Sequence, residues 1–162
     1  MKSARFAEIL RLLAANEVEF IVVGMTAGVL QGAPVTTIDL DILHRRTSAN
    51  VARLWRVLTE LDAFYRHDRR KLRPRESHLA GPGHQLLTTI HGDLDCLGEI
   101  DEGKRYEDLL ERTIAIQLSE GAVVRTLDLP TLIEIKQRSG RPKDLAVIPA
   151  LRATLDEIRR RS

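Results

Sequence analysis

Residues 20–43, FIVVGMTAGVLQGAPVTTIDLDIL, constrain this chain more tightly than any other stretch. A β-rich apolar run ends at Gly24, a short helical segment follows, Gly32 and Pro34 stop it, and a second apolar run carries Asp39 and Asp41. Side chains alternate along a strand, so the two carboxylates share one face while Ile38, Leu40 and Ile42 share the other. Adjacent carboxylates repel each other and are costly to desolvate. Folding stability does not call for such a pair, whereas a divalent cation makes it tolerable. A solvated sheet face is the competing explanation, and Asp-x-Asp by itself leaves both open.

The remaining pattern alternates helices and strands. Ser3 is placed to cap a first helix whose apolar stripe is Phe6, Ile9, Leu10 and Leu13. Strands are expected over 18–23 and 36–43, and a helix opening at Ser48 presents Val51, Leu54, Trp55, Leu58 and Leu61. Residues 85–90 and 93–97 read as strands joined by a tight turn at His91-Gly92, where glycine takes positive φ. On the second of these, Leu94 and Cys96 face one side and Asp93 and Asp95 the other. A short helix over 106–112 and a hairpin of 113–118 with 122–127 come next. Asp128 caps a helix carrying Leu129, Leu132, Ile133 and Lys136, which Gly140 and Pro142 break. A last helix carries Leu145, Ile148, Leu151, Leu155 and Ile158, with a kink expected at Pro149. The fold class is α+β: a small mixed sheet backed by helices, with residues 1–162 as one domain.

At 162 residues and a formal net charge of +2, the chain has room for one sizeable core, and its bulk charge selects no partner. The lone cysteine, Cys96, leaves no internal disulfide framework and fits a cytoplasmic setting. No apolar run approaches the roughly 18 residues of a membrane span, and the N-terminus reads as an amphipathic helix rather than a signal peptide. No membrane partner is expected.

Four features carry further chemistry. Adjacent strands lie about 4.8 Å apart, so a second aspartate-bearing strand beside the first could supply a third carboxylate to a site for two cations. Gly24 ends a strand at a helix start, where free backbone N–H groups favour phosphate, and Thr26 adds a hydroxyl. Lys136 projects from the apolar face of its helix, where it must meet a negative partner; a triphosphate and a structural carboxylate are both candidates. Between 66 and 75 the chain is strongly basic, with Arg66, Arg69, Arg70, Lys71, Arg73 and Arg75. Such a cluster favours a polyanion over a merely solvated loop. His44, His67, His78, His84 and His91 show no zinc-type spacing.

Gly24-Met25-Thr26-Ala27, Thr37-Ile38-Asp39-Leu40-Asp41 and Gly92-Asp93-Leu94-Asp95, in this order, resemble the polymerase-β-like nucleotidyltransferase superfamily. The tail Lys136…Gly140-Arg141-Pro142-Lys143-Asp144-Leu145 is similar to the C-terminal signature of its small prokaryotic branch, which includes nucleotidyltransferase toxins of toxin–antitoxin systems. The resemblance implies a minimal nucleotidyltransferase fold. It implies that Asp39, Asp41 and Asp95 hold two Mg²⁺ ions and act as the catalytic carboxylates, with Asp93 as the fallback for the third position. It further implies that Gly24, Thr26, Lys136, Arg141 and Lys143 bind the phosphates of a nucleoside triphosphate. The implied chemistry is transfer of a nucleoside monophosphate to a hydroxyl, on RNA by preference because of the basic cluster, or on protein. An antitoxin joins the candidate partners. Two positions depart from the pattern: Met25 stands where a small residue is usual, and Pro34-Val35-Thr36 stands where an arginine is common. A non-catalytic nucleotide- or RNA-binding module, or a subunit completed by a partner, is the alternative reading.

Overall fold

The fold is assembled around the aspartate strand. In the computed structural model, which describes residues 5–162, this strand is β2 (Asp39–His44). Ser3 and its expected cap lie outside the described residues. β2 is flanked by β1 (Phe20–Val23), which runs antiparallel to it, and by β5 (Gly92–Leu97), which runs parallel. Beyond β5 come β4 (His84–Thr89) and the two-residue edge strand β3 (Phe64–Tyr65). Beyond β1 come β7 (Val123–Leu127), parallel to it, and then β6 (Thr113–Gln117). The result is one mixed seven-stranded sheet in the order β3-β4-β5-β2-β1-β7-β6.

The apolar face of the central strands forms the core. Leu40, Ile42, Leu94, Cys96 and Leu87 are fully buried, the outcome expected when alternate side chains point one way. Ile9, Leu10 and Leu13 of α1 (Phe6–Ala15) and Val51, Leu54, Val57 and Leu58 of α3 (Ser48–Glu60) join the same cluster. Thr47, not Ser48, caps α3, accepting from the Asn50 backbone N–H. α1 packs on α3, and α3 on α4 (Glu76–Ala80). A second group joins α2 (Gly24–Leu30), α6 (Leu129–Ser139) and α7 (Pro142–Arg161). Between β5 and β6 the 106–112 segment is a four-residue helix, α5 (Tyr106–Leu109), tightening into a 3₁₀ turn. α7 continues as helix through Pro149.

Several outward positions differ from the sequence pattern. Ile38 precedes β2 and is 80% exposed, because the strand begins one residue later than its apolar run suggests. Trp55, Leu145 and Ile158 are also exposed: each lies on the margin of an amphipathic stripe that is wider than the contact it makes. Asp128 caps α6 as expected, accepting from the Thr131 N–H, and Gly140 ends it in the left-handed conformation at φ 64°. No helix among the described residues is long and apolar enough to cross a membrane.

Candidate active site

The register of β2 and β5 brings the acidic residues together. Asp39 pairs with Asp93 and Asp41 with Asp95, so all four carboxylates stand on the face opposite the core. Ligand oxygens of Asp39, Asp41 and Asp95 all lie within 4.8 Å of one another. Asp93 accepts from the Thr88 hydroxyl at 3.0 Å on the neighbouring strand instead. Two hydroxyls fix the start of β2: Thr26 and Thr37 donate to the Asp39 carbonyl at 3.0 and 2.9 Å. Thr26 is buried. Its donor braces the aspartate strand.

Asp41 is the electrostatic centre of the cluster. Burial, followed by the charge and hydrogen bond of Asp95, pushes its carboxyl up to about 8. Its Oδ1 is buried without a hydrogen-bond partner. Burial also raises Asp95, while its hydrogen bond with Asp41 and the guanidinium of Arg66 oppose that rise. An orphaned buried carboxylate oxygen amid three converging hard ligands is what a divalent cation site requires, so the donor set fits Mg²⁺-type coordination.

Gly24 shows why the strand-to-helix turn needs glycine. Its φ is +66°, and a Cβ there would stand 2.3 Å from Asp41 Oδ2. The backbone of the first turn of α2 thus passes directly against the acidic cluster.

A cleft of about 780 Å³ opens over this face. Gly24, Met25, Asp39 and Asp41 lie at its base; Leu97, Ile100, Leu132 and Ile135 give it an apolar wall; Lys136, Arg138, Arg141 and Lys143 give it a cationic one. Lys136 is buried and donates to Asp144 at 3.0 Å. Of the two candidates for its partner, the structure thus provides the structural carboxylate, while the lysine still lowers the Asp41 pKa through space. Asp144 also accepts from Ser139 and, at 2.9 Å, from Arg141. With these partners outweighing the burial that opposes them, its carboxyl is held down at about 2. Asp144, which the sequence placed only within the tail signature, is the hub that gathers Lys136 and Arg141. The left-handed turn at Gly140 makes that meeting possible. On the opposite rim, Asp101 pairs with Arg138 and Lys104 and ties the loop after β5 to α6.

The basic cluster divides in two. Arg66 turns inward: it contacts Asp95, donates to the Leu87 carbonyl at 3.1 Å, and its Nε lies 3.4 Å from Asp93. It therefore belongs to the acidic face and is not part of an exposed basic surface. Arg69, Arg70, Lys71, Arg73 and Arg75 are exposed. Arg70 pairs with Asp68, Arg73 with Asp62, and Lys71 stands over the Phe64 ring at 5.6 Å.

No family model matches the chain, and no curated protein matches it by sequence. Solved structures do match. A Thermotoga maritima protein assigned as a nucleotidyltransferase aligns over 94% of this chain and 91% of its own, with a TM-score of 0.57 at 18% identity. The antibiotic-resistance factor ANT(2'')-Ia aligns over 94% and 82%, with a TM-score of 0.56 at 13% identity. The lincomycin-bound lincosamide antibiotic adenylyltransferase LnuA aligns over 94% and 99%, with a TM-score of 0.59 at 15% identity. The chain therefore has the nucleotidyltransferase fold expected from its motifs.

Proposed function

We propose that residues 1–162 act as one nucleotidyltransferase domain that moves a nucleoside monophosphate from a nucleoside triphosphate to a hydroxyl acceptor. The observation that carries this reading is the convergence of Asp39, Asp41 and Asp95 within 4.8 Å, with Asp39 and Asp41 lining a cleft that has a cationic wall. Two Mg²⁺ ions bound by these carboxylates supply Lewis-acid polarisation of the phosphoryl group and activation of the attacking oxygen. Asp39, Asp41 and Asp95 would hold the ions, with Asp41 offering an oxygen that has no hydrogen-bond partner. Asp95 would take the proton of the incoming hydroxyl as its oxygen attacks. That oxygen forms a bond to the α-phosphorus as the α–β bridging bond breaks, and pyrophosphate leaves.

The backbone N–H groups at Gly24 and Met25 meet the phosphates at the turn against Asp41. Lys136, pre-aimed by Asp144, and the exposed Arg141 and Lys143 neutralise the leaving pyrophosphate. Leu97, Ile100, Leu132 and Ile135 offer an apolar wall to the base. RNA is the favoured acceptor because exposed cations cluster over residues 69–75. A toxin role with an antitoxin partner rests on the family resemblance alone.

Incubation with each α-labelled nucleoside triphosphate, Mg²⁺ and total cellular RNA tests the reading. Label is expected in RNA with one preferred nucleotide, and Asp39→Ala is expected to abolish it. Absence of transfer to RNA and to protein with every nucleotide refutes the activity. Growth arrest on expression of the active chain but not of Asp39→Ala tests the toxin role.

A further inference from the structure

The short edge strand β3 has two differently furnished sides. Phe64 stands opposite Thr88, whose hydroxyl binds Asp93, so it shares the acidic face. Tyr65 stands opposite the fully buried Leu87 and faces the other way. Behind it is a second groove of about 880 Å³, lined by Trp55, Tyr65, Leu72, Arg73, Arg75 and His78 among others. Nothing in nucleotidyl transfer at the aspartates uses these side chains.

The aromatic groups here are held in place, and their polar atoms are already satisfied. The Trp55 indole N–H donates to the Pro74 carbonyl at 3.2 Å, yet the residue is 38% exposed. The Tyr65 hydroxyl donates to Gln85 at 2.6 Å. The His78 ring meets Tyr65 edge-to-face at a centroid distance of 5.8 Å. What remains for a ligand is ring faces, which recognise flat groups without reading their edges. Around them, over 67–78, five exposed cations outnumber the carboxylates Asp68 and Glu76. Ring faces with surplus positive charge match a chain of bases and phosphates. A duplex keeps its bases stacked internally and cannot offer them. An acidic peptide satisfies the cations but has no use for the rings.

We propose that this groove binds a single-stranded RNA segment, with its bases on Trp55 and Tyr65 and its phosphates on Arg73 and Arg75. The inference rests on the RNA-acceptor reading and gives that acceptor a second point of attachment. β3 is two strands from β5, about 10 Å at the usual inter-strand spacing. An RNA end at Asp95 therefore reaches the groove by crossing one short sheet edge.

Trp55 is the chain's single tryptophan, so it reports directly on its own site. Fluorescence is titrated with short oligouridylate and oligoadenylate, a duplex RNA of equal length, and polyglutamate. Quenching is expected with the single strands, with log K falling against log salt by about 0.7 per phosphate contacted. Anisotropy of a labelled oligonucleotide is expected to show about tenfold weaker binding for Trp55→Leu. The exposed pair Arg73→Glu/Arg75→Glu is expected to weaken binding and flatten the salt slope, which keeps the test decisive where Trp55→Leu does not fold. Absence of quenching, equal affinity for duplex, or polyglutamate binding as tightly as RNA overturns the proposal. Asp39→Ala is expected to bind oligonucleotide unchanged. Groove binding without label transfer thus counts against the enzymatic reading alone, and label transfer insensitive to both groove variants counts against the groove alone.

Discussion

Two carboxylates that line the cleft, the buried Asp144 and the half-buried Asp41, have been driven in opposite directions. Asp144 accepts from Lys136, Ser139 and Arg141 and is held at about 2. Asp41 has an oxygen with no partner, two acidic neighbours, and a carboxyl pushed up to about 8. Both are withdrawn from water, so burial alone does not separate them. The supply of donors does. A carboxylate surrounded by donors is finished by the chain itself, whereas one surrounded by other carboxylates awaits charge from outside. That contrast separates the cationic wall, a self-sufficient scaffold, from the acidic base, which is built for an exogenous cation.

The contrast breaks most sharply at Asp41. Asp41→Asn should lower transfer by more than about 10²-fold, the scale for removing an electrostatic stabiliser from a preorganised site. It should also abolish Mn²⁺ binding measured calorimetrically, and leave the melting temperature of the metal-free protein unchanged or raised. A large loss of stability would show that Asp41 is structural after all. Asp144→Ala should do the reverse. It leaves Lys136 buried without its partner, which costs roughly 3–5 kcal/mol, read as a lowered denaturant midpoint, while Mn²⁺ binding survives wherever the protein is folded.

Their pH responses should differ in sign. The raised Asp41 carboxyl contributes stability that is fully present below its unfolded value of 3.8 and is lost as pH rises towards about 8. Asp144, depressed to about 2, contributes stability present above 3.8 and lost as pH falls through that lower value. The metal-free protein should therefore melt several degrees lower at pH 8 than at pH 5, and Mn²⁺ should restore the difference. Calorimetry near neutrality should detect proton release on Mn²⁺ binding, because ligands must be deprotonated to coordinate. The smallest effect is expected at Thr26→Val. Loss of its hydrogen bond to the Asp39 carbonyl costs about 1 kcal/mol in chemical denaturation, and Thr37 retains the second brace.

Much of this arrangement was legible in sequence because it is local. Alternation placed Asp39 with Asp41 and Asp93 with Asp95 on common faces, His91-Gly92 made the β4–β5 turn, and Asp128 announced α6. The invisible part depends on chain reversal and strand order. Lys136 and Asp144 meet only because Gly140 folds α7 back on α6. Arg66 reads as one more member of a basic run until β3, β4 and β5 are set side by side, which brings it against Asp95. Trp55 fits an apolar stripe by spacing, yet exposure at a groove mouth is decided by where α3 ends its contact with the sheet. Ile38 continues the alternation of β2 on paper, but the ladder begins after it.

The pairing of Asp41 with Asp95 is set by backbone ladders in the middle of the sheet, not by side-chain rotamers. Its spacing therefore inherits the rigidity of the β2–β5 ladder. Edge β3 and the loop that follows it carry no such constraint. Substitution or remodelling there can redirect what the protein grips without moving the reacting centre, so the acceptor is free to diverge faster than the chemistry.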